Sequence, residues 1–221
     1  MPVANSEMSG SKGARTRAQV IQGALRALCA NGVSATTTRK IAEESGVHLA
    51  TLHYHFESKG ALLLAVLRHL IDETTTAMRV EAQDRTDIVA CIEELLTAAW
   101  RLMMRTRNLQ IVQYELTLYA FREGAEWLAM HQYDAYVNLY RGALLAIAER
   151  TRELTPSDCT ALARFMLAGI DGLLLQQLAK PNRGRSATGI AALIQSAQTY
   201  ALALRKERKA SNRRARAAWA I

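Results

Sequence analysis

The stretch that decides the fold is TTRKIAEESGVHLATLHYHFESK, residues 37–59. Short apolar patterns flank Gly46, with Ile41 and Ala42 before it and Val47 and Leu52 after it. Each has helical spacing, and a glycine lets the chain turn between them because it lacks the Cβ that opposes a left-handed backbone. The hydroxyls of Thr36, Thr37 and Thr38 can cap the first helix, and Ser58 can cap the one that follows. Two short helices around a tight turn make a helix-turn-helix, whose second helix suits the major groove of DNA. Any αα-hairpin with a glycine would share that periodicity, so the residue types have to discriminate.

Those types suit a nucleic acid. Thr37 and Thr38 stand at a helix N-terminus, where hydroxyls and free N–H groups suit a phosphate, and Arg39 and Lys40 add charge beside them. Lys59 falls in the first turn of the next helix, again placed for backbone phosphate. On the second helix, His48, Leu49, Ala50, Thr51 and His53 are the candidates for the groove. Ala50 and Thr51 are short enough for close approach and can touch a thymine methyl. His48, His53 and His55 crowd together, but His53 and His55 project about 200° apart on a helix, and no cysteine or acid completes a set of ligands. Neither a metal nor a cofactor is expected.

Residue by residue, the stretch resembles the tetracycline-repressor (TetR) family of bacterial transcription regulators. The residues that carry the resemblance are Gly32, Thr37-Thr38-Arg39, Ile41-Ala42, Gly46-Val47, Thr51-Leu52, Tyr54-His55-Phe56, Ser58-Lys59 and Leu62, within about residues 15–65. The resemblance implies that Tyr54 and His55 grip the sugar-phosphate backbone. It also implies a small-molecule pocket in the later helices and a dimer through the last two. Three positions depart from the family pattern: His48 for the usual serine, Ala50 for the usual glycine and His53 for the usual tyrosine. The bases read therefore do not carry over from relatives.

Outward from this stretch, the periodicity predicts an all-α chain. A first helix is expected over 16–31, with Thr16 and Gln19 as a capping box and Asn31-Gly32 as its stop. A long helix follows from Ser58 to about Val80, then a polar link at 81–85 and helices over 86–107, 109–122 and 125–153. Thr155-Pro156-Ser157-Asp158 is a strong start for a helix to about Lys180, and a last helix covers 188–209. The expected organisation is a helix-turn-helix domain at 14–60, a helical ligand-binding and dimerisation domain at 61–209 and a basic, disordered tail at 210–221.

The chain has 221 residues, half of them apolar and 22% charged, which excludes wholesale disorder and a disulfide-stapled miniprotein. Its formal net charge of +8 is concentrated at the front and in the last residues, with a slightly acidic middle. Cys29, Cys91 and Cys159 form no CxxC pair, the front lacks the apolar core of a signal peptide, and no apolar run would span a membrane. A cytoplasmic chain with no membrane partner is expected. There is no Glu-x-x-His pair, glycine-rich phosphate loop or plausible Ser/His/Asp set, so an enzyme fits poorly.

Trp100, Met104, Tyr114, Trp127, His131 and Phe165 are the candidates for lining an effector pocket, which favours an apolar or amphipathic molecule. Asp171, between Gly169 and Gly172, could orient a ligand or serve the packing. Gly169 and Gly172 are expected to let the last two long helices approach closely, and their apolar stripes to pair with a second copy. The leading reading is a repressor released from palindromic double-stranded operator DNA by a small effector, with activation left open. The second reading is a constitutive or architectural DNA-binding protein without an effector.

Overall fold

The computed structural model describes residues 4–79 and 87–218, with side chains over 12–78 and 87–210. The described residues form nine α-helices and no strand, as the periodicity predicts. They pack as two compact units. The first comprises the residues up to Glu73 together with Asn108–Gln132; the second comprises Thr74–Arg107 and the chain from Tyr133 onward. This division by packing differs from the division by role set out above. The expected link at 81–85 lies outside the described residues.

In the first unit, α1 (Ala4–Ala35) buries Val20, Ile21, Ala24, Leu25 and Leu28 along one stripe. It starts earlier than the pattern at Thr16 predicts. Inside the helix the Thr16 hydroxyl donates to the Lys12 carbonyl (3.1 Å), an internal use of the group that competes with capping. Gly32, at φ 74°, breaks the helical backbone one turn before Ala35. Thr36 is fully buried below that break, with its hydroxyl 2.7 Å from the Gly32 carbonyl.

Helix α2 (Thr38–Ser45) is capped by Thr37, whose hydroxyl accepts from the Lys40 amide, and is closed by Gly46 at φ 64°. A Cβ on Gly23 of α1 would lie 2.6 Å from the Ser45 Cα, so this glycine sets how closely the two helices cross. Helix α3 (Leu49–His55) buries Leu52, and Phe56 beyond it is buried beneath the Arg17 guanidinium, 4.9 Å from the ring centre. Ser58 accepts from the Ala61 amide (3.0 Å) at the start of α4 (Lys59–Arg79), which buries Leu62, Leu63, Val66, Leu67, Leu70 and Ile71.

In the second unit, α5 (Ile88–Arg105) begins at Asp87, whose carboxylate accepts from the Ala90 amide (3.1 Å). After the Thr106 cap comes α6 (Arg107–Arg122), and Gly124 at φ 69° separates it from α7 (Glu126–Thr151). Both helices contribute residues to both units. Helix α8 (Pro156–Ala179) has the expected start: Thr155 and Asp158 each bond the other's backbone amide, at 3.1 and 2.8 Å.

Helix α9 (Arg183–Ala218) packs against α5 and α8. It runs well past residue 209, so the tail is helical to Ala218 where a disordered extension was expected. Alanine and arginine dominate there with neither glycine nor proline, and such a composition sustains a helix that has already begun. The side chains beyond residue 210 lie outside the described residues.

Helices α8 and α9 meet at glycines. A Cβ on Gly169 would be 2.3 Å from Leu193 Cδ1, and one on Gly189 would be 2.7 Å from Leu173 Cδ2. Gly172, expected to share this role, has nothing within 4 Å of such a Cβ. Among the described residues no helix is long and apolar enough to cross a membrane.

Candidate functional site

Helix α3 presents its candidates outward. His48, Ala50, His53 and Tyr54 are exposed, Tyr54 to 85%, while Leu49, Thr51 and His55 are half-buried. The inward positions are Leu52 and Phe56, and Tyr54 leans its ring edge on His55 at 5.2 Å. His48 caps α3 through its backbone alone, which leaves the imidazole exposed. Beside this face, Thr37 and Arg39 are exposed and Thr38 is half-buried.

Lys59 is more constrained than a free phosphate contact. Its ammonium donates to the Val33 carbonyl at 3.1 Å, which leaves two of its three donors. Opposite that bond, Glu115 of α6 accepts from the Val33 amide at 2.9 Å. The turn that leads from α1 into α2 is therefore gripped on both sides of Val33, by α4 and by α6. Gly32 adjoins the same carboxylate, at 3.5 Å from the position of a Cβ. Nothing local in the sequence marks Glu115, because its partner lies 82 residues away.

Within the second unit, α5, α8 and α9 enclose a cleft of about 440 Å³. Trp100 and Met104 of α5, Leu178 of α8 and Ile190 of α9 supply its apolar wall, and Arg107 and Arg183 stand in its lining. Arg107 reaches the Leu178 carbonyl at 3.4 Å.

Of the six effector candidates the cleft takes Trp100 and Met104 and none of the other four. Phe165 is 39% exposed on α8 and packs edgewise on Tyr200 of α9 at 5.6 Å. Trp127 and His131 are exposed and Tyr114 half-buried, all three in the first unit, with the Arg68 guanidinium 5.3 Å from the Trp127 ring centre. Helical spacing reports which face of a helix a residue occupies, and it is silent about which neighbour covers that face.

Asp171 is half-buried and adds its charge to the surroundings of Tyr133 and Tyr140 of α7. Burial first, and then this carboxylate, push both phenols above their ordinary range. Among the described residues no group of three or more His, Cys, Asp or Glu side chains could hold a metal ion.

Residues 20–66, which span the second half of α1, the helix-turn-helix and the start of α4, match the bacterial regulatory proteins of the tetR family. The transcriptional regulator TtgR of Pseudomonas putida is 29% identical over 174 residues, covering 76% of this chain and 82% of the relative. Residues 20–66 carry the DNA-binding domain of the tetR family of bacterial regulatory proteins.

A second relative is the nicotine-responsive transcriptional repressor HdnoR of Paenarthrobacter nicotinovorans, 25% identical over 76% of this chain and 87% of its own length. The crystal structure of a TetR-family transcription regulator from Marinobacter aquaeolei VT8 shares the fold. Its TM-score is 0.58 at 18% identity, covering 84% of this chain and 96% of that one. These relatives are helix-turn-helix transcriptional regulators, and this chain carries the DNA-binding domain of that family.

Proposed function

We propose that this regulator is a cytoplasmic repressor, bound as a homodimer to a palindromic operator and released by a small effector. The observation that carries the reading is the grip of Glu115 on Val33, which ties α6 to the turn ahead of the recognition head. Helix α6 starts at Arg107, a residue of the cleft in the second unit. A ligand that prefers one arrangement of α6 must change operator affinity by the same factor by which DNA changes ligand affinity. The nicotine-responsive relative supports a small-molecule signal as the kind of input.

DNA contacts are assigned to Thr37, Thr38, Arg39, Tyr54, His55 and Lys59 for the backbone, and to His48, Leu49, Ala50, Thr51 and His53 for the groove. Pairing through α8 and α9 is supported by Phe165, Leu175 and Leu202, which are 39%, 51% and 46% exposed. A two-fold dimer presents two recognition helices to half-sites about 34–36 Å apart.

The test is binding of the full chain to its own promoter-region DNA against scrambled DNA over a salt series. Tight binding to one palindromic site is expected, weakened about tenfold or more by His53→Ala or Thr51→Ala, the scale of one lost base contact. Equal binding to both DNAs with a steep salt slope would overturn the operator reading and point to backbone contacts alone.

A further inference from the structure

We infer that the cleft between α5, α8 and α9 binds an anionic amphipath, a molecule with a carboxylate or phosphate head on an apolar body. The inference rests on the effector reading above and specifies its ligand. The apolar wall is Trp100, Met104, Leu178 and Ile190, and among the described residues the charged ones in the lining are Arg107 and Arg183. Among the described residues no carboxylate lines the cleft, and neither arginine has an acidic partner. Two guanidinium groups beside apolar surface are complementary to a planar or tetrahedral anion, which each can hold through paired N–H donors. A cation would meet like charge there, and a neutral polar head would leave those donors poorly paired. About 440 Å³ accommodates one small molecule, within the range of ordinary ligand clefts.

Position gives the site a consequence. Arg107 is the first residue of α6, and two turns further along the same helix Glu115 holds the Val33 amide. Drawing the Arg107 guanidinium from the Leu178 carbonyl onto a bound head acts on the origin of the helix that grips the DNA-binding head. The wall also carries its own reporter, because Trp100 is the single tryptophan lining the cleft.

The experiment titrates the full chain with decanoate, decyl phosphate and decanol, below their aggregation concentrations, following tryptophan fluorescence. At least one of the two anions is expected to bind ten times or more tightly than decanol, and the tighter of them identifies the head. Arg107→Ala with Arg183→Ala should abolish that preference; the Arg→Lys pair should retain most of it. Equal binding of decanol and both anions, or a preference that survives the double alanine variant, would overturn the inference. Thermal melts show whether the alanine variant folds; if it does not, the lysine pair and the salt dependence of decanoate binding decide. Binding to promoter DNA is measured on the same sample. Specific DNA binding without anion binding would sink the cleft and spare the regulator reading, whereas anion binding without specific DNA binding would do the reverse.

Discussion

The DNA-binding head and the cleft are built by opposite means. In the head, the caps and the turn are made by neighbours in sequence: Thr37 caps α2, Gly46 ends it, and Ser58 caps α4. The cleft takes its wall from residues as far apart as Trp100 and Ile190, on three helices, and no local pattern announces it. A site made by local chemistry can be read along the chain, whereas one made by packing exists only after the helices have chosen their partners.

The sharpest way to break that contrast is in the head. Gly23→Ala puts a Cβ 2.6–2.7 Å from the backbone of Ser45, where no side chain can move aside. A loss of about 3 kcal/mol is expected, the upper part of the overpacking range, with DNA binding lost alongside it. Urea unfolding measures the first and promoter binding the second. A neutral result would show that α1 and α2 can separate without cost, and that the head is less rigid than its caps imply.

The second unit offers a matched pair on α8. At Gly169 a new Cβ meets the flexible tip of Leu193, so Gly169→Ala should cost about 1–2 kcal/mol, less than Gly23→Ala because a rotamer can give way. Gly172→Ala, with nothing in its way, should stabilise by about 0.5–1 kcal/mol through helix propensity alone. Thermal melts of the two variants, compared at equal protein concentration, separate these signs. Equal effects would mean that close contact between α8 and α9 is not what Gly169 provides.

The smallest effect is confined to alkaline solution and belongs to the second unit. Burial, and next to it Asp158, push the Cys159 thiol up to about 11 from an ordinary 9.0. Tyr140 is pushed up from 10.0 by burial, then by Asp171 and Tyr136. Both groups are held protonated by the fold, so above these ordinary values the unfolded chain ionises first and binds fewer protons than the native one. Stability therefore falls as pH rises from about 9 toward 11 and is unaffected by these groups at neutral pH. A series of melts across that window should show the fall, flattened in Tyr140→Phe, which removes the ionisable group. A flat profile in the parent chain would remove these two groups as a source of alkaline sensitivity.

Helical spacing by itself does not say what a side chain meets. Thr16 looked like a helix start because a hydroxyl three residues before a glutamine has the right spacing. Within a helix the same hydroxyl turns back on its own chain. Phe165, Trp127 and His131 are candidates for pocket lining on helical spacing, and the cleft of the second unit does not include them. The first lies on an exposed face against Tyr200, and the other two are exposed in the first unit. Arg107, Arg183, Glu115 and Gly189 carry no local signal at all.

What the sequence determined by itself is the helical class, the helix-turn-helix with its caps and turn, and the family resemblance of that segment. Each depends on interactions within a few residues, which the order of side chains along the chain already specifies. Tertiary structure alone decided that Val33 is held from both sides, that Gly169 and not Gly172 meets a neighbour, and that two arginines share a cleft with Trp100 and Met104. Those facts depend on which helix faces come together, and that is settled by packing over the whole of each unit.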